Sequence, residues 1–572
     1  MPIMVLLVAT MTAAPVAAAR PEANFITDQD AMLWNLAGGS VEPILTVGDE
    51  MGSYMFDAIP DGISVASWGS NSVKVFVNHE TSTVPFPYST SSPGGNLNDF
   101  TDSLVSKLRI NRSTHKVTAA SLILDDGDDV HRLCSNFLAT SIHGFDRPIL
   151  LTNEEGIDWV NRAGLQWPAT EGADTARQIG AVVARDLGTG VNRIIWGMGR
   201  HNHENSLPLK GYGYPVVLSG DDSFVTSPNQ SQVYSYIADS RADLWNDEGE
   251  LWAFVSDDLA YDDYYDFVPG STHSVTGHFI QVPKEIATGR NPDGSDMMAA
   301  DVPAEFGGPY DPPPSDGAWQ RPPGATSGPG VDGPQWVLET WSDEHNVFSF
   351  VRVEDMAYDK RQGMRNVVYI VDSGRGRGPS DSAGLDSDGN AVVNKSTNGR
   401  IWKMVFDKND PTVVTSLSIL IEGDDSPTKT LTEIRQPDNI ETTKKGIYIT
   451  EDPGSSQQFA PGDLAGKNAR VWQYKFGAVP TLNPVLEVNQ DADEGDTDVD
   501  SSSEGSMGAW EASGIIDVSQ WFGPGMFLIT VQAHTLFIET APGPDINDPP
   551  TGIDWTYKRE GGQLLLVKIP GG

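Results

Sequence analysis

The chain has 572 residues, 38% hydrophobic and 20% charged, with 58 Gly and 39 Pro. That composition is globular and rich in turns, which argues against disorder and against long helices. The formal net charge is −41, from 79 acidic and 38 basic residues, which argues against a nucleic-acid partner because phosphate backbones need a basic surface.

The opening "MPIMVLLVATMTAAPVAAAR" reads as an export signal over residues 1–19. It has an apolar stretch followed by Ala17 and Ala19 in the small-residue positions before a cut, although no Lys or Arg precedes the apolar part. The apolar segment is too short for a membrane span. A secreted or periplasmic chain over residues 20–572 is expected, as a single domain and a monomer with no span of its own. Next, "SVEPILTVGD" would supply an outer strand to the last sheet. One stretch, "GADTARQIGAVVARDLG", predicts a helix, with Ile179, Val182 and Val183 on one face and Gly188 as its stop.

Most other apolar runs are short and bounded by turns, and predict strands. Six segments share one pattern: a polar residue, a strand, a turn, and a second strand ending in polar residues. They read "PDGISVASWGSNSVKVFVNHE", "CSNFLATSIHGFDRPILLTNEE", "HENSLPLKGYGYPVVLSGDD", "VEDMAYDKRQGMRNVVYIVDSG", "PDNIETTKKGIYITEDPG" and "WEASGIIDVSQWFGPGMFLITVQAHT". Their leading residues Asp61, Cys134, Glu204, Glu354, Asp438 and Glu511 recur at intervals of 73, 70, 150, 84 and 73 residues. The long interval holds a Pro/Gly-rich stretch and is read as an insertion over about 258–345. Third strands follow as "SKLRIN", "GELWAFV", "GRIWKMVF", "ARVWQYKFG" and "GQLLLVKIP". The expected fold is all-β, a six-bladed β-propeller with long loops, in preference to a pair of β-sandwiches or an irregular β protein.

In such a ring the start of each first strand and the end of each second strand share one rim. The pattern therefore predicts an inner ring of Asp61, Cys134, Glu204, Glu354, Asp438 and Glu511. Asn78, His79, Glu80, Asn153, Glu154, Glu155, Asp221, Asp222, Asp372, Glu451, Asp452, Gln532 and His534 fall close to it. Clustered carboxylates repel one another unless a cation sits among them, and Ca²⁺ takes six to eight oxygen ligands. Cys134 is the only cysteine. Taken alone it reads as a small buried hydrophobe; within the ring its soft sulfur points to a transition metal, iron or zinc, beside calcium. His201 and His203 are further candidates, or serve only to orient the loop of Glu204. "LDSDGN", with Asp386, Asp388 and Asn390, reads as a turn, and "DADEGDTDVD" (491–500) as a solvated loop.

The motifs "KVFVNHE", "LCS", "ILLTNEEG", "GRHNHE", "LSGDD", "RVEDMAYD", "PDNI" and "WEASG" occur in this order. Together they resemble the PhoX-type alkaline phosphatase family, from about Val47 to the end, with the insertion least alike. The resemblance implies an exported six-bladed propeller whose rim holds calcium and ferric iron, and which hydrolyses phosphate monoesters and sometimes diesters. It implies Cys134 as an iron ligand. It implies Glu204, Glu354, Asp438 and Glu511 as metal ligands, with Glu80 and Glu155 as further members. Asn78 and Arg352 would hold the phosphate, and Arg375 or Arg377 would stand in for a phosphate-binding lysine. The chain departs from the family at "CSNF", where glycines follow the cysteine, and at "VQAHT". Two alternatives stay open: a calcium-only lactonase or arylesterase on a propeller, and a non-catalytic surface propeller stapled by calcium.

Overall fold

The computed structural model describes residues 24–80, 84–86, 103–125, 128, 130–156, 159–160, 177–223, 225, 228–313, 332–374, 384–385, 391–392, 398–423, 433–452, 468–493, 510–539 and 556–572. The expected export signal, Arg375, Arg377, residues 386–390 of "LDSDGN" and residues 494–500 lie outside them. The described residues are mostly strand, with four short helices: Arg241–Trp245, Lys284–Thr288, Pro334–Glu344 and Ser519–Phe522. No helix among them is long and apolar enough to cross a membrane.

Six antiparallel four-stranded arrays follow one another along the chain. Sheet I holds Pro60–Trp68, Ser72–His79, Leu104–Asn111 and Val117–Leu124. Sheet II holds Leu133–Ala139, Ile149–Glu154, Val182–Asp186 and Asn192–Ile195. Sheet III holds His203–Pro208, Val216–Asp221, Val233–Ile237 and Glu250–Ser256. Sheet IV holds Val353–Tyr358, Val367–Asp372, Arg400–Phe406 and Val413–Glu422. Sheet V holds Pro437–Thr442, Gly446–Glu451, Arg470–Lys475 and Thr481–Val488, with Leu33–Asn35 added outside. Sheet VI holds Glu511–Asp517, Met526–Glu539, Thr556–Lys568 and, from the far end of the chain, Val41–Thr46. That last pairing is the outer strand expected from "SVEPILTVGD". It ties the start of the described chain to its end, Val41 opposite Val567. Ser274–Gln281, between sheets III and IV in the chain, pairs with Glu250–Ser256 on one side and Val413–Glu422 on the other, so these sheets join into nine strands.

The first strands touch in a closed cycle, I to II to III to IV to V to VI and back to I. The hydrophobic core is divided to match. Val73, Val75 and Val77 of sheet I pack on Leu528 and Leu566 of sheet VI. Phe76, on the opposite face of the same strand, packs with Leu150 and Val183 of sheet II. Further clusters join II to III, III to IV, IV to V and V to VI. Every sheet is thus apolar on both faces. Its central strands read as continuous apolar runs rather than alternating ones, as in "GIYIT" and "VVYIV". Each fully buried Val, Leu, Ile or Phe contributes roughly 1.5–3 kcal/mol, so the inter-sheet clusters are the main source of stability.

The helix expected within 172–188 does not form where the chain is described. Arg177–Gln178 and Val182–Asp186 are strands, and the latter is a central strand of sheet II. Gly180 sits at φ +91, which breaks helical continuity. Val182 and Val183 do not share a helix face; they point to opposite sides of the sheet, into the II–III and I–II clusters.

Candidate metal centre

All six first strands break their pairing at the same place. The register shifts between Pro60 and Ile63, Leu133 and Asn136, His203 and Ser206, Val353 and Met356, Pro437 and Ile440, and Ala512 and Ile515. Each shift leaves two residues without a partner, a β-bulge that bends the strand and re-aims its side chains. The first residue of each bulge is Asp61, Cys134, Glu204, Glu354, Asp438 and Ser513. Cys134 thus occupies a slot filled by carboxylates in four of the other sheets.

The sixth slot corrects the expected ring. Glu511 pairs with Gln532, before the bulge, and Ser513 stands in the slot itself. The "WEASG" pattern placed Glu511 in phase, but strand register sets the position, and it lies two residues on. Ser513 Oγ donates to Asp61 Oδ1. Glu511 faces His534 at 3.7 Å instead.

Two more slots repeat. Just past each second strand, or midway along the longer one of sheet VI, stand Glu80, Glu155, Asp222, Ser373, Asp452 and Gln532. The residues opposite them are Ile59, Arg132, Asn202, Arg352, Gln436 and Glu511. Of these, Ile59, Arg132, Arg352 and Gln436 have positive φ (27°, 48°, 64° and 38°), a costly backbone state for such side chains. Arg132 was not singled out from the sequence. Its signal was there: it precedes Cys134 by two residues, as Arg352 precedes Glu354.

Two groups of potential ligands result. Glu80, Cys134 and Glu155 each offer an atom within 4.8 Å of the others, as do Glu204, Glu354 and Asp438. The Cys134 thiol donates to Glu155 Oε2 at 2.8 Å. Burial, reinforced by the neighbouring carboxylates, pushes Glu155, Glu204, Glu354 and Asp438 well above the ordinary carboxylate range. Burial pushes the Cys134 thiol up too, and Glu155, Glu80, Glu204 and Asp61 add to it. Asp61 is pushed up to about 7, chiefly by burial.

Cationic side chains answer only part of this charge. Arg352 forks over Asp222, Nε to Oδ1 at 2.9 Å and its terminal nitrogen to Oδ2 at 2.6 Å, and lies 3.1 Å from Glu354. Arg132 lies 3.7 Å from Glu80. His534 sits between Glu511 and Glu560, at 3.7 and 3.8 Å. Burial opposes its protonation, but the two carboxylates outweigh it and hold the ring well above its usual pKa. Glu560, on the third strand of sheet VI, was not legible as a site residue because that strand carries no repeat of the rim pattern.

Other expected rim residues turn aside. Asn78 is fully buried, and its amide donates to Cys134 O, Ser135 O and Thr152 Oγ1 while Oδ1 accepts from Asn136. It holds the cysteine bulge in place, and nothing of it is left to grip a phosphate. Glu154, Asp372 and Glu451 accept backbone N–H groups of adjacent loops. His201 and His203 are buried, their rings tilted by 33° with centroids 3.5 Å apart, and bonded to Ser219 and to Gly199 O. Neither belongs to the two ligand groups.

The donor set fits hard cations with one softer neighbour: buried carboxylates at mutual contact distance, and a single sulfur among them. No family model matches the chain, and no curated protein matches its sequence. Its fold is similar to that of Pseudomonas fluorescens PhoX, solved in complex with vanadate, a transition state analogue. The likeness covers 96% of this chain and 98% of that one, with a TM-score of 0.54 and 14% identity. At that identity it is a likeness of fold.

Proposed function

We propose that the protein is an exported metal-dependent phosphatase, acting on small phosphate monoesters, and on diesters in some cases, at a calcium and iron cluster on one rim. The observation that carries this reading is the convergence of Cys134 with Glu80, Glu155, Glu204, Glu354 and Asp438 in equivalent slots, beside Arg352. The fold likeness to a phosphatase solved with a transition state analogue supports it. So does the cycle of six sheets, which we read as a six-bladed propeller in a single domain spanning 20–572, with an insertion over about 258–345.

Glu204, Glu354 and Asp438 would hold hard cations. Cys134, with Glu80 and Glu155, would hold iron, the one cation in the set suited to sulfur. When bound, the metals supply Lewis-acid activation of the attacking oxygen and neutralise charge on the phosphoryl group. Arg352 sits at the edge of the cluster with its side chain 15% exposed. Its planar fork matches two phosphoryl oxygens as readily as it matches Asp222. Arg132, in the equivalent slot of sheet II, is a second cation for the same anion. His534 keeps a proton at the rim, held by Glu511 and Glu560, where a departing alkoxide could take it.

The deciding experiment is metal analysis of the purified protein, paired with turnover of p-nitrophenyl phosphate and its diester with and without calcium. Bound iron and calcium with calcium-dependent turnover is the expected result. Calcium alone, with turnover of a lactone and none of the phosphate esters, would place the protein with the calcium-dependent lactonases instead.

A further inference from the structure

Beyond the bulges, a cavity of about 730 Å³ lies between the first strands. Asp61, Cys134, Glu204, Glu354 and Asp438 do not line it. Its walls are largely apolar, with Leu138, Leu187, Ile515, Ile516, Trp68 and Ile142 among them. Trp68 ends the first strand of sheet I, and Ile142 lies in the turn after the first strand of sheet II, both at the end opposite the bulges. They are 47% and 58% exposed, and mark the mouth. Concave, mostly apolar cavities of roughly 300–1,000 Å³ are the usual seats of small ligands.

The charge at this mouth runs against that of the acidic chain. Ala66 pairs with Lys74, so strand alternation puts Ala66, Trp68 and Lys74 on one face of sheet I. Lys74 pairs in turn with Arg109, and Phe76 with Lys107, so Lys107 and Arg109 share that face. It is the face turned to sheet II, because Phe76 packs with Leu150 and Val183. Lys74 also lines the cavity, with Nζ 3.7 Å from the centroid of the Trp68 ring. Burial, with repulsion from Lys107, lowers the Lys74 amine below its usual pKa. The carboxylates that line the cavity are engaged elsewhere. Asp355 accepts Met356 N at 2.7 Å, Ile440 N at 3.0 Å and the Asn205 amide. Glu441 accepts Lys360 Nζ at 2.6 Å and Asp517 N at 2.9 Å, and Asp517 accepts Ser519 N at 2.9 Å.

An apolar cavity with ammonium groups gathered at its mouth is complementary to a ligand of opposite sign with an apolar body. We propose that the cavity binds an anionic amphiphile, its carboxylate, sulfate or phosphate head against Lys74, with Lys107 behind it, and its apolar body along Ile142, Leu138 and Leu187. The head gains charge-assisted hydrogen bonds, which are stronger than neutral ones. The body leaves water for a surface that is already apolar. A cationic head would meet like charge at the same place. The site lies on the face opposite the thiolate-bearing ring and does not depend on the reaction performed there.

The test is calorimetric titration of the full-length protein with dodecanoate below its micelle concentration. A single saturable site per chain is the expected result. Butanoate has the head without the body, and dodecyltrimethylammonium has the body with the wrong charge. Each should bind more weakly than dodecanoate by about tenfold or more. Lys74→Glu and Ile142→Asp lie outside the buried core, so the fold should be kept. Each should weaken dodecanoate binding by about tenfold or more, with metal content unchanged. Equal binding of dodecyltrimethylammonium, or unchanged affinity in Lys74→Glu, overturns the proposal. So does association with phosphatidylglycerol vesicles when no dodecanoate binds in solution, because that would make this face a membrane contact. Failure of the phosphatase reading would appear separately, as absent iron or absent turnover.

Discussion

Cys134 differs from its neighbours in softness, not in place. It occupies the same bulge slot as Asp61, Glu204, Glu354 and Asp438. Replacing it with serine keeps the size and removes the soft ligand, so Cys134→Ser should lose most of the bound iron and its visible absorption band while calcium stays. Metal analysis and a visible spectrum of the folded variant read this directly; an unchanged iron content would refute the assignment. Ser135 and Asn136 follow the cysteine, and both are used. Ser135 Oγ donates to Glu204 O at 2.5 Å, and Asn136 reaches sheet I. These side chains link neighbouring sheets and leave the cysteine in its slot. Arg352 calls for a gentler change. Removing it would leave Asp222 buried and unpaired, at a cost of about 3–5 kcal/mol. Arg352→Lys keeps the charge but loses the fork, and should raise KM for a phosphate ester about tenfold or more with the fold intact. Steady-state kinetics beside a thermal melt separate the two effects.

At the scale of elements, the segment between sheets III and IV does more than fill space. Helix Pro334–Glu344 places Gln335 so that its amide donates to Gly156 O at 2.6 Å and Ile179 O at 3.0 Å. Gly156 directly follows Glu155, so this helix braces the loop that carries a candidate ligand. Gly180 makes the close approach possible: a Cβ there would lie 2.3 Å from Gln335 Nε2 and 2.5 Å from His201 O, at φ +91. Gly180→Ala should therefore destabilise the fold by more than about 1 kcal/mol, read as a lower denaturation midpoint. A neutral effect would mean that the helix does not press on this loop. The same glycine explains the mistaken helix. Ile179, Val182 and Val183 fit a helical period only if the backbone stays helical through Gly180.

For the whole molecule, the decisive quantity is negative charge gathered on one rim. Glu155, Glu204, Glu354 and Asp438 are raised by burial and by one another, and Asp61 is raised by burial to about 7. Unfolded carboxylates titrate near about 4. Between those values the metal-free folded chain binds more protons than the unfolded one, so its stability falls as pH rises. Melts of the chelated protein should drop steadily from about pH 5 to pH 8. Added calcium should flatten that slope, because cations replace the missing protons. A chelated protein that is indifferent to pH would mean that the carboxylates are not gathered as described.

By itself the sequence determined the all-β chain, the repeat of strand pairs, the outer strand Val41–Thr46 and five of the six bulge residues. These are local facts: apolar runs, turns and polar residues in phase with them write themselves into the chain. Tertiary structure alone decided the rest. Register put Ser513 rather than Glu511 in the sixth slot, because a bulge shows only when two strands are laid side by side. The I–II and II–III packing made a strand of Val182–Asp186, because apolar side chains on both faces of a sheet mimic a buried helix in one dimension. Closure of the ring brought Glu560, on the third strand of sheet VI, up to Glu80 of sheet I, because which strands meet belongs to the folded arrangement and to no residue alone.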